Sequence, residues 1–253
     1  VALAKSEIFT GLVEQGVAVV NADSEFYSHW RADLEPNLIS FGLENRRADV
    51  LARDIERDAL GCHRFTLVTP LGEMDVHLPI PGRHNISNAL AATAATLPLG
   101  MTLPMIKRGL EMMQPVKGRL CIQQLPGVTL IDDTYNANPD SVRAGIDVLA
   151  STIGRKLLVL GDMGEIGEAC AQYHDEIGGY AKSQGVDLLF ALGEATKAAV
   201  RNFGDGARHF CHVDKLIAAA DKELGPDTTV LVKGSRFMKM ERVADALAAE
   251  ETR

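Results

Sequence analysis

The sequence predicts an α/β protein whose second half is an open, doubly wound parallel sheet, and three observations carry that expectation. From Val128 onward, short apolar strands alternate with helices: VTLIDD (128–133), KLLVLGD (156–162), DLLFALG (187–193), ARHFC (207–211) and TVLVKG (229–234). The intervening helices fall near 139–151, 171–184, 194–202, 213–224 and 237–249. Runs such as LLVL and TVLV are continuously apolar, as strands covered by helices on both faces must be. The composition, 46% hydrophobic and 24% charged with 23 Gly, is that of a globular α/β chain. Its 253 residues leave room for one or two domains at roughly 150 residues each.

The first half is less regular. Residues 1–12 have helical spacing, with Leu3, Ile8, Phe9 and Leu12 apolar and Gly11 placed to end the helix. Gly16 to Asn21 reads as a short strand, and NADSEFYSHWRADLE as a helix capped by Asp23 or Ser24. Leu38 to Phe41 is a further strand. RFTLVTP and MDVHLPI, joined across Leu71-Gly72-Glu73, make a hairpin. Pro81-Gly82 breaks that run and opens the small-residue helix ISNALAATAATL; Thr102-Leu103-Pro104 starts the next, with Pro near its first turn. The segment 116–120 leads into a strand pair, LCIQQ and VTLIDD, and the domain boundary is expected at 127/128. The chain opens Val1-Ala2-Leu3 without Met, and its first half lacks an obvious opening strand.

Composition excludes several functions. Lys and Arg number 26 against 34 Asp and Glu, a formal charge of −8, which argues against a nucleic-acid-binding face. The four cysteines are scattered, with no CxxC pair for zinc or redox chemistry. No apolar run approaches the ~20 residues of a membrane span, and no signal peptide is evident, so the expectation is a cytoplasmic protein. There is no G-x-x-x-x-G-K-[ST] loop, no G-x-G-x-x-G after a strand and no G-x-S-x-G elbow.

Chemistry concentrates where parallel strands end. Asp132-Asp133-Thr134-Tyr135-Asn136-Ala137-Asn138-Pro139 puts two acids at a strand's carboxyl end, where ligands of α/β sheets bind. They suit ribose hydroxyls, a metal through water or a substrate ammonium, and Asn138-Pro139 is placed to cap the following helix; the plainer reading makes Asn136 and Asn138 turn and cap residues with one Asp facing solvent. Asp162-Met163-Gly164-Glu165 follows the next strand and reads as either a site or a tight turn. Lys233-Gly234-Ser235-Arg236 places cations at a helix start, which the helix dipole disfavours unless an anion or acid is near. Either Asn85 or Ser87 caps a helix, with His84 satisfied in the core, or Asn85 and Asn88, with His84 beside them, read the polar edge of a base. Arg119 sits on a Gly hinge, where a guanidinium suits a phosphate. The remaining histidines show no ligand spacing; His209 and His212 around Cys211 are the nearest approach to one.

Six segments together resemble one family. AKSEIF (4–9), GRHNISNALAA (82–92), KGRL (117–120), DDTYNANPDSV (132–142), LGDMGEIG (160–167) and VLVKGSRFMKME (230–241) are similar to the Mur ligases, in order and over essentially the whole chain. The resemblance implies the distal part of the central ATPase domain (1–127) followed by a complete Rossmann-like C-terminal domain (128–253), with the P-loop expected before Val1. It implies ATP and Mg²⁺ as cofactors. Lys5 then corresponds to a carbamylated lysine that ligates Mg²⁺, and Asn85, Asn88 and His84 to the adenine side. Arg119 would reach the ATP phosphates and Asp133 the ribose, with Tyr135 beside them. Asp162, Glu165, Lys233 and Ser235 would face the peptide and incoming amine, and Lys5, Arg119 and Lys233 would be the catalytic groups. Tyr135 within DDTYNANP points to the branch that joins D-alanyl-D-alanine to UDP-N-acetylmuramoyl-tripeptide through an acyl phosphate, acting as a monomer. The alternatives are a ligase adding a different amino acid and a non-catalytic nucleotide- or peptide-binding module of the same fold.

Overall fold

The computed structural model describes residues 2–34, 37–58 and 61–250. Val1 and Glu35, which the expected first two helices include, lie outside them. The chain divides into two compact units at Gln114/Pro115, earlier than the expected 127/128. The reason is that β6 (Cys121–Leu125) is hydrogen bonded antiparallel to β7 (Val128–Asp133) and so belongs to the second sheet.

In the first unit, α1 (Ala2–Ser6) runs into a 3₁₀ turn at Glu7–Gly11. A five-stranded sheet follows in the order β1 (Ala18–Asn21), β2 (Leu38–Gly42), β3 (Val50–Arg57), β4 (Cys62–Thr69) and β5 (Gly72–Pro81). The first three strands are parallel and the last two form the expected antiparallel hairpin. α3 (Arg83–Thr96) and α4 (Leu103–Glu111) bury Ile86, Leu90 and Ile106 against Val50, Phe65, Leu67 and Leu78. α2 (Tyr27–Leu34) is shorter than expected. Ser24 Oγ accepts the Phe26 amide, whereas the Asp23 carboxylate is spent on a neighbouring loop, accepting the amides of Leu43, Glu44 and Asn45.

His63 continues the inward stripe of Phe65 and Leu67 on β4, and its Nδ1 has no partner among the described residues. Burial, and after it the Arg57 guanidinium, hold this imidazole below its usual 6.5. An unfolded His63 therefore binds its proton at higher pH than the folded one, so its share of stability is present above 6.5 and is lost as pH falls. Urea unfolding followed through the single tryptophan, Trp30 in this unit, should show a midpoint that drops from about pH 7 to about pH 5, and His63→Phe should flatten that drop.

The second unit has a six-stranded sheet in the order β10-β9-β8-β11-β7-β6, with β8 (Arg155–Gly161), β9 (Leu188–Leu192), β10 (Ala207–Phe210) and β11 (Thr228–Lys233). The five strands expected are joined by β6 at the edge; all neighbours are parallel except β6 and β7. Successive residues of each strand serve opposite cores. Leu158, Leu160, Ile131 and Leu231 pack under α5 (Pro139–Ala150), α6 (Cys170–Ser183) and α7 (Thr196–Phe203). Leu157, Val159, Leu130 and Val230 pack under α8 (Val213–Asp221) and α9 (Glu241–Glu250). This double burial is why those strands carry no polar alternation.

Asn138 caps α5 in a reciprocal box: its side chain accepts the Ser141 amide and its own amide is bound by Ser141 Oγ. Asn138→Ala should cost about 1 kcal/mol, read as a lower urea midpoint at unchanged slope.

Candidate functional site

The chain enters β11 last, between β7 and β8. β7 and β8 lead into helices on one face of the sheet and β11 into α9 on the other. Their connections therefore diverge and open a crevice at the strands' carboxyl ends. β11 and β7 are in register, with Lys233 opposite Asp133. Lys233 is 2% exposed; its ammonium donates to Asp133 Oδ2 at 2.6 Å and to the Asn136 carbonyl at 2.9 Å. Gly145 of α5 leaves room for the pair, since a Cβ there would lie 3.6 Å from both Asp133 Oδ2 and Lys233 Cδ.

Ser235, also buried, ties the three loops together. Its hydroxyl accepts the Gly164 amide at 2.6 Å and donates to the Ala137 carbonyl, while its amide donates to the Asp162 carbonyl. Asp162 Oδ1 accepts the Thr196 amide at the start of α7. Gly164 is small because a Cβ would strike Phe237 at 2.6 Å. What remains open is a cleft of about 420 Å³ lined by Asn136, Glu165, Arg236, Phe237 and Lys239 with Gly164 and Ser235. The structure thus brings Asp133, Asp162, Glu165, Lys233 and Ser235 together. Only Glu165, at φ +58, is exposed; the other four hold the frame by internal bonds. Arg236, expected to be awkward at a helix start, lies one short 3₁₀ turn ahead of α9 and is answered by Glu241 at 3.4 Å. Phe237 and Lys239 escaped the sequence reading, although the cation spacing in KGSRFMK marks them.

Beside the cleft, Arg119 is not on a free hinge but in a turn clamped to β7. Gly118 N donates to Asp132 Oδ2, Leu120 N to Asp133 Oδ1 and Tyr135 N to the Gly118 carbonyl. The Arg119 guanidinium stacks 4.2 Å from the centre of the half-exposed Tyr135 ring, and that of Arg236 lies 6.0 Å away. Asp132 is fully buried, whereas the Asp133 carboxylate keeps an edge 13% exposed. Two cations around one accessible ring make a planar, positively charged surface suited to phosphate oxygens.

In the first unit, Gly82 caps α3 at φ +97, a conformation that favours Gly, and the exposed His84 ring folds back over it. Neither Asn85 nor Ser87 caps the helix, whose N-cap is Gly82 with no side-chain cap bond. Asn85 Nδ2 donates to the Pro81 carbonyl and Asn88 Nδ2 to Asn85 Oδ1. The exposed Asn88 keeps its carbonyl oxygen and a second N–H for a ligand. Lys5 is exposed on α1.

The comparisons with known proteins agree with this layout. The family model of the Mur ligase middle domain matches residues 1–96, and that of the Mur ligase glutamate ligase domain matches residues 118–236. The chain belongs to the Mur ligase family. This Mur ligase chain is 40% identical over 256 residues to the UDP-N-acetylmuramoyl-tripeptide–D-alanyl-D-alanine ligase of Escherichia coli, covering 100% of itself and 56% of the relative. It is 39% identical to the ligase of the same name from Haemophilus influenzae, over 96% of itself and 54% of that protein. A crystal structure of MurF from Acinetobacter baumannii superimposes with a TM-score of 0.88 at 36% identity, over 97% of this chain and 54% of the other. The Mur ligase chain thus spans about half the length of the relatives it matches.

Among the described residues, no three His, Cys, Asp or Glu side chains are arranged to hold a metal ion. A carbamate on Lys5 would add one anionic group, with two oxygens, to a magnesium site. No helix among the described residues is long and apolar enough to cross a membrane.

Proposed function

We propose that this chain serves ATP-dependent amide-bond formation, joining D-alanyl-D-alanine to the terminal carboxylate of UDP-N-acetylmuramoyl-tripeptide in cytoplasmic peptidoglycan-precursor synthesis. The observation that carries the reading is the cleft at the ends of β7, β8 and β11, where Glu165 and two cations, Arg236 and Lys239, line one opening. A dipeptide brings an amine and a carboxylate, and an acyl phosphate brings spread negative charge, so a cleft of mixed sign suits both. ATP supplies the phosphoryl group that activates the acceptor carboxylate.

The chain's own groups take distinct parts. Arg119, stacked on Tyr135, meets phosphate oxygens, and Asp133 takes ribose hydroxyls. Asn88, steadied by Asn85 and beside His84, reads adenine. Lys233 and Ser235 act as positioning residues, since their polar atoms already hold the three loops in place. Asp162 anchors α7 under the cleft, and Glu165 faces the incoming amine. Lys5, as a carbamate, would give its anionic oxygens to the magnesium that accompanies ATP, alongside ligands from elsewhere in the longer enzyme.

A chimaera tests this reading. The matching part of the Escherichia coli relative is replaced by this chain and supplied with ATP, UDP-N-acetylmuramoyl-tripeptide and either D-alanyl-D-alanine or a diamino acid. Product mass should show the dipeptide added and the diamino acid refused. The 253 residues alone, which contain no G-x-x-x-x-G-K-[ST] loop, should form no amide. Incorporation of the diamino acid in place of the dipeptide, or turnover by the isolated chain, would overturn the proposal.

A further inference from the structure

We propose that Asp132 is a positioning residue that sets the place of Arg119. The inference rests on the reading of Arg119 as a phosphate ligand for its consequence, and on geometry within the second unit for its structural part. Asp132 is the penultimate residue of β7 and 1% exposed, where a carboxylate must be met by donors. Three meet it: the Thr134 hydroxyl at 2.6 Å, the Thr134 amide at 3.2 Å and the Gly118 amide at 3.2 Å. None of these belongs to a helix or to the ladder of the sheet. The carboxylate is spent on the turn that carries Arg119.

That turn is held on both sides. Asp132 takes the amide before Arg119 and Asp133 the amide after it, so two adjacent acids at one strand end grip residues 118 and 120. Gly118 has φ +79, and a Cβ there would lie 3.1 Å from Tyr135 N and 3.2 Å from Thr134 Oγ1. Leu120 is left-handed at φ +49 and 4% exposed. An unclamped turn would relax both conformations. The Gly118 carbonyl in turn receives the Tyr135 amide, so the arginine's backbone and the ring beneath its guanidinium share one anchor. Loss of the Asp132 oxygen would loosen the two together.

Asp132→Asn in the 253-residue chain tests this. It keeps the shape but turns one acceptor into a donor facing a donor. The amide exchange of Gly118, the ring-current shift of the Arg119 side chain and ADP affinity are followed. Gly118 exchange should quicken about tenfold and ADP should bind about tenfold more weakly, while the amides of Leu158 and Leu189 in the sheet keep their rates. The Arg119 ring-current shift should collapse. In an Arg119→Ala background the same substitution should leave ADP affinity unchanged, because Asp132 acts through Arg119. An unchanged Arg119 ring-current shift, or an additive loss of affinity in the double variant, would overturn the proposal. If the unsubstituted chain binds no ADP, affinity is measured in the chimaera, where an Arg119→Ala variant that binds ADP as well as the unsubstituted protein would sink the phosphate reading, and exchange with ring-current shift still decides the positioning role. Should Asp132→Asn not fold, Thr134→Val removes only the hydroxyl bond; a smaller shift in the same direction supports the clamp, and none refutes it.

Discussion

Lys233→Met is expected to remove about 3 kcal/mol or more from the stability of the second unit and to abolish the amide formation proposed for the chimaera. The ammonium is 2% exposed and bonded to Asp133 and Asn136. Water cannot replace it. Removing one member of such a pair leaves a buried charge with its partner gone, which costs about 3–5 kcal/mol. Met matches the stem that packs beside Gly145 and so isolates the loss of charge from the loss of volume. The double variant Lys233→Met, Asp133→Leu separates stability from function. With both charges gone the desolvation cost disappears, and the urea midpoint should recover part of its loss, the Leu120 amide left without its Asp133 acceptor withholding the rest. Activity should not recover, because the 136–137 loop has lost its anchor and the proposed ribose acceptor is absent. A single variant within about 1 kcal/mol of the unsubstituted chain, by a urea midpoint at unchanged slope, would show that the pair is not the keystone described.

The double winding of the second unit was legible because its physics leaves a strong trace. Strands buried on both faces cannot tolerate polar alternation, and VTLIDD, LLVL and TVLV show none. Asn138-Pro139 likewise announced the cap of α5, since an amide before a Pro at the first turn has few other uses. Elsewhere a residue type had two uses, and only the tertiary partner decided between them. Asp23 looked like a helix cap yet serves three amides from a loop about twenty residues away. The segment holding Gly164 read as either a site or a tight turn, and neither reading shows what Gly161 and Gly164 are small for. They make room for Met240 and Phe237. β6 was seen as one of a strand pair but not as an edge of the larger sheet, because a five-residue strand carries no record of its partner. At the candidate site, the acids and cations were visible as types. That Lys233, Asp133 and Ser235 bind one another, leaving Glu165, Arg236 and Lys239 to face the cleft, depends on register between strands a hundred residues apart.

The glycine in the middle of α6 leads to a second large effect. Gly178→Ala should destabilise the unit by about 3 kcal/mol, against the ordinary gain of about 1 kcal/mol when Ala replaces Gly inside a helix. A Cβ at Gly178 would lie 2.1 Å from the Ala199 carbonyl oxygen and 2.7 Å from Ala199 Cα. These are backbone atoms of α7, so no side chain can swing aside and the helices must separate. Separation strips contacts from Ile177, Ala181 and Phe203, all in the core beneath. The neighbouring Gly179 supplies the control. There a Cβ meets Asn202 Nδ2 at 2.9 Å, the far end of a side chain that can rotate at the expense of its bonds to Asp175. Gly179→Ala should therefore cost less than about 1 kcal/mol. The consequence reaches the cleft because both helices hold its floor. His174 of α6 accepts the Met163 amide through Nε2 and bonds the Cys170 carbonyl through Nδ1, and the first residue of α7 holds Asp162. Moving α6 from α7 pulls the 162–165 loop from two sides, so the folded fraction of Gly178→Ala should also bind ligand less well. A urea midpoint for Gly178→Ala at or above that of Gly179→Ala would mean that the two helices do not meet backbone to backbone at this point.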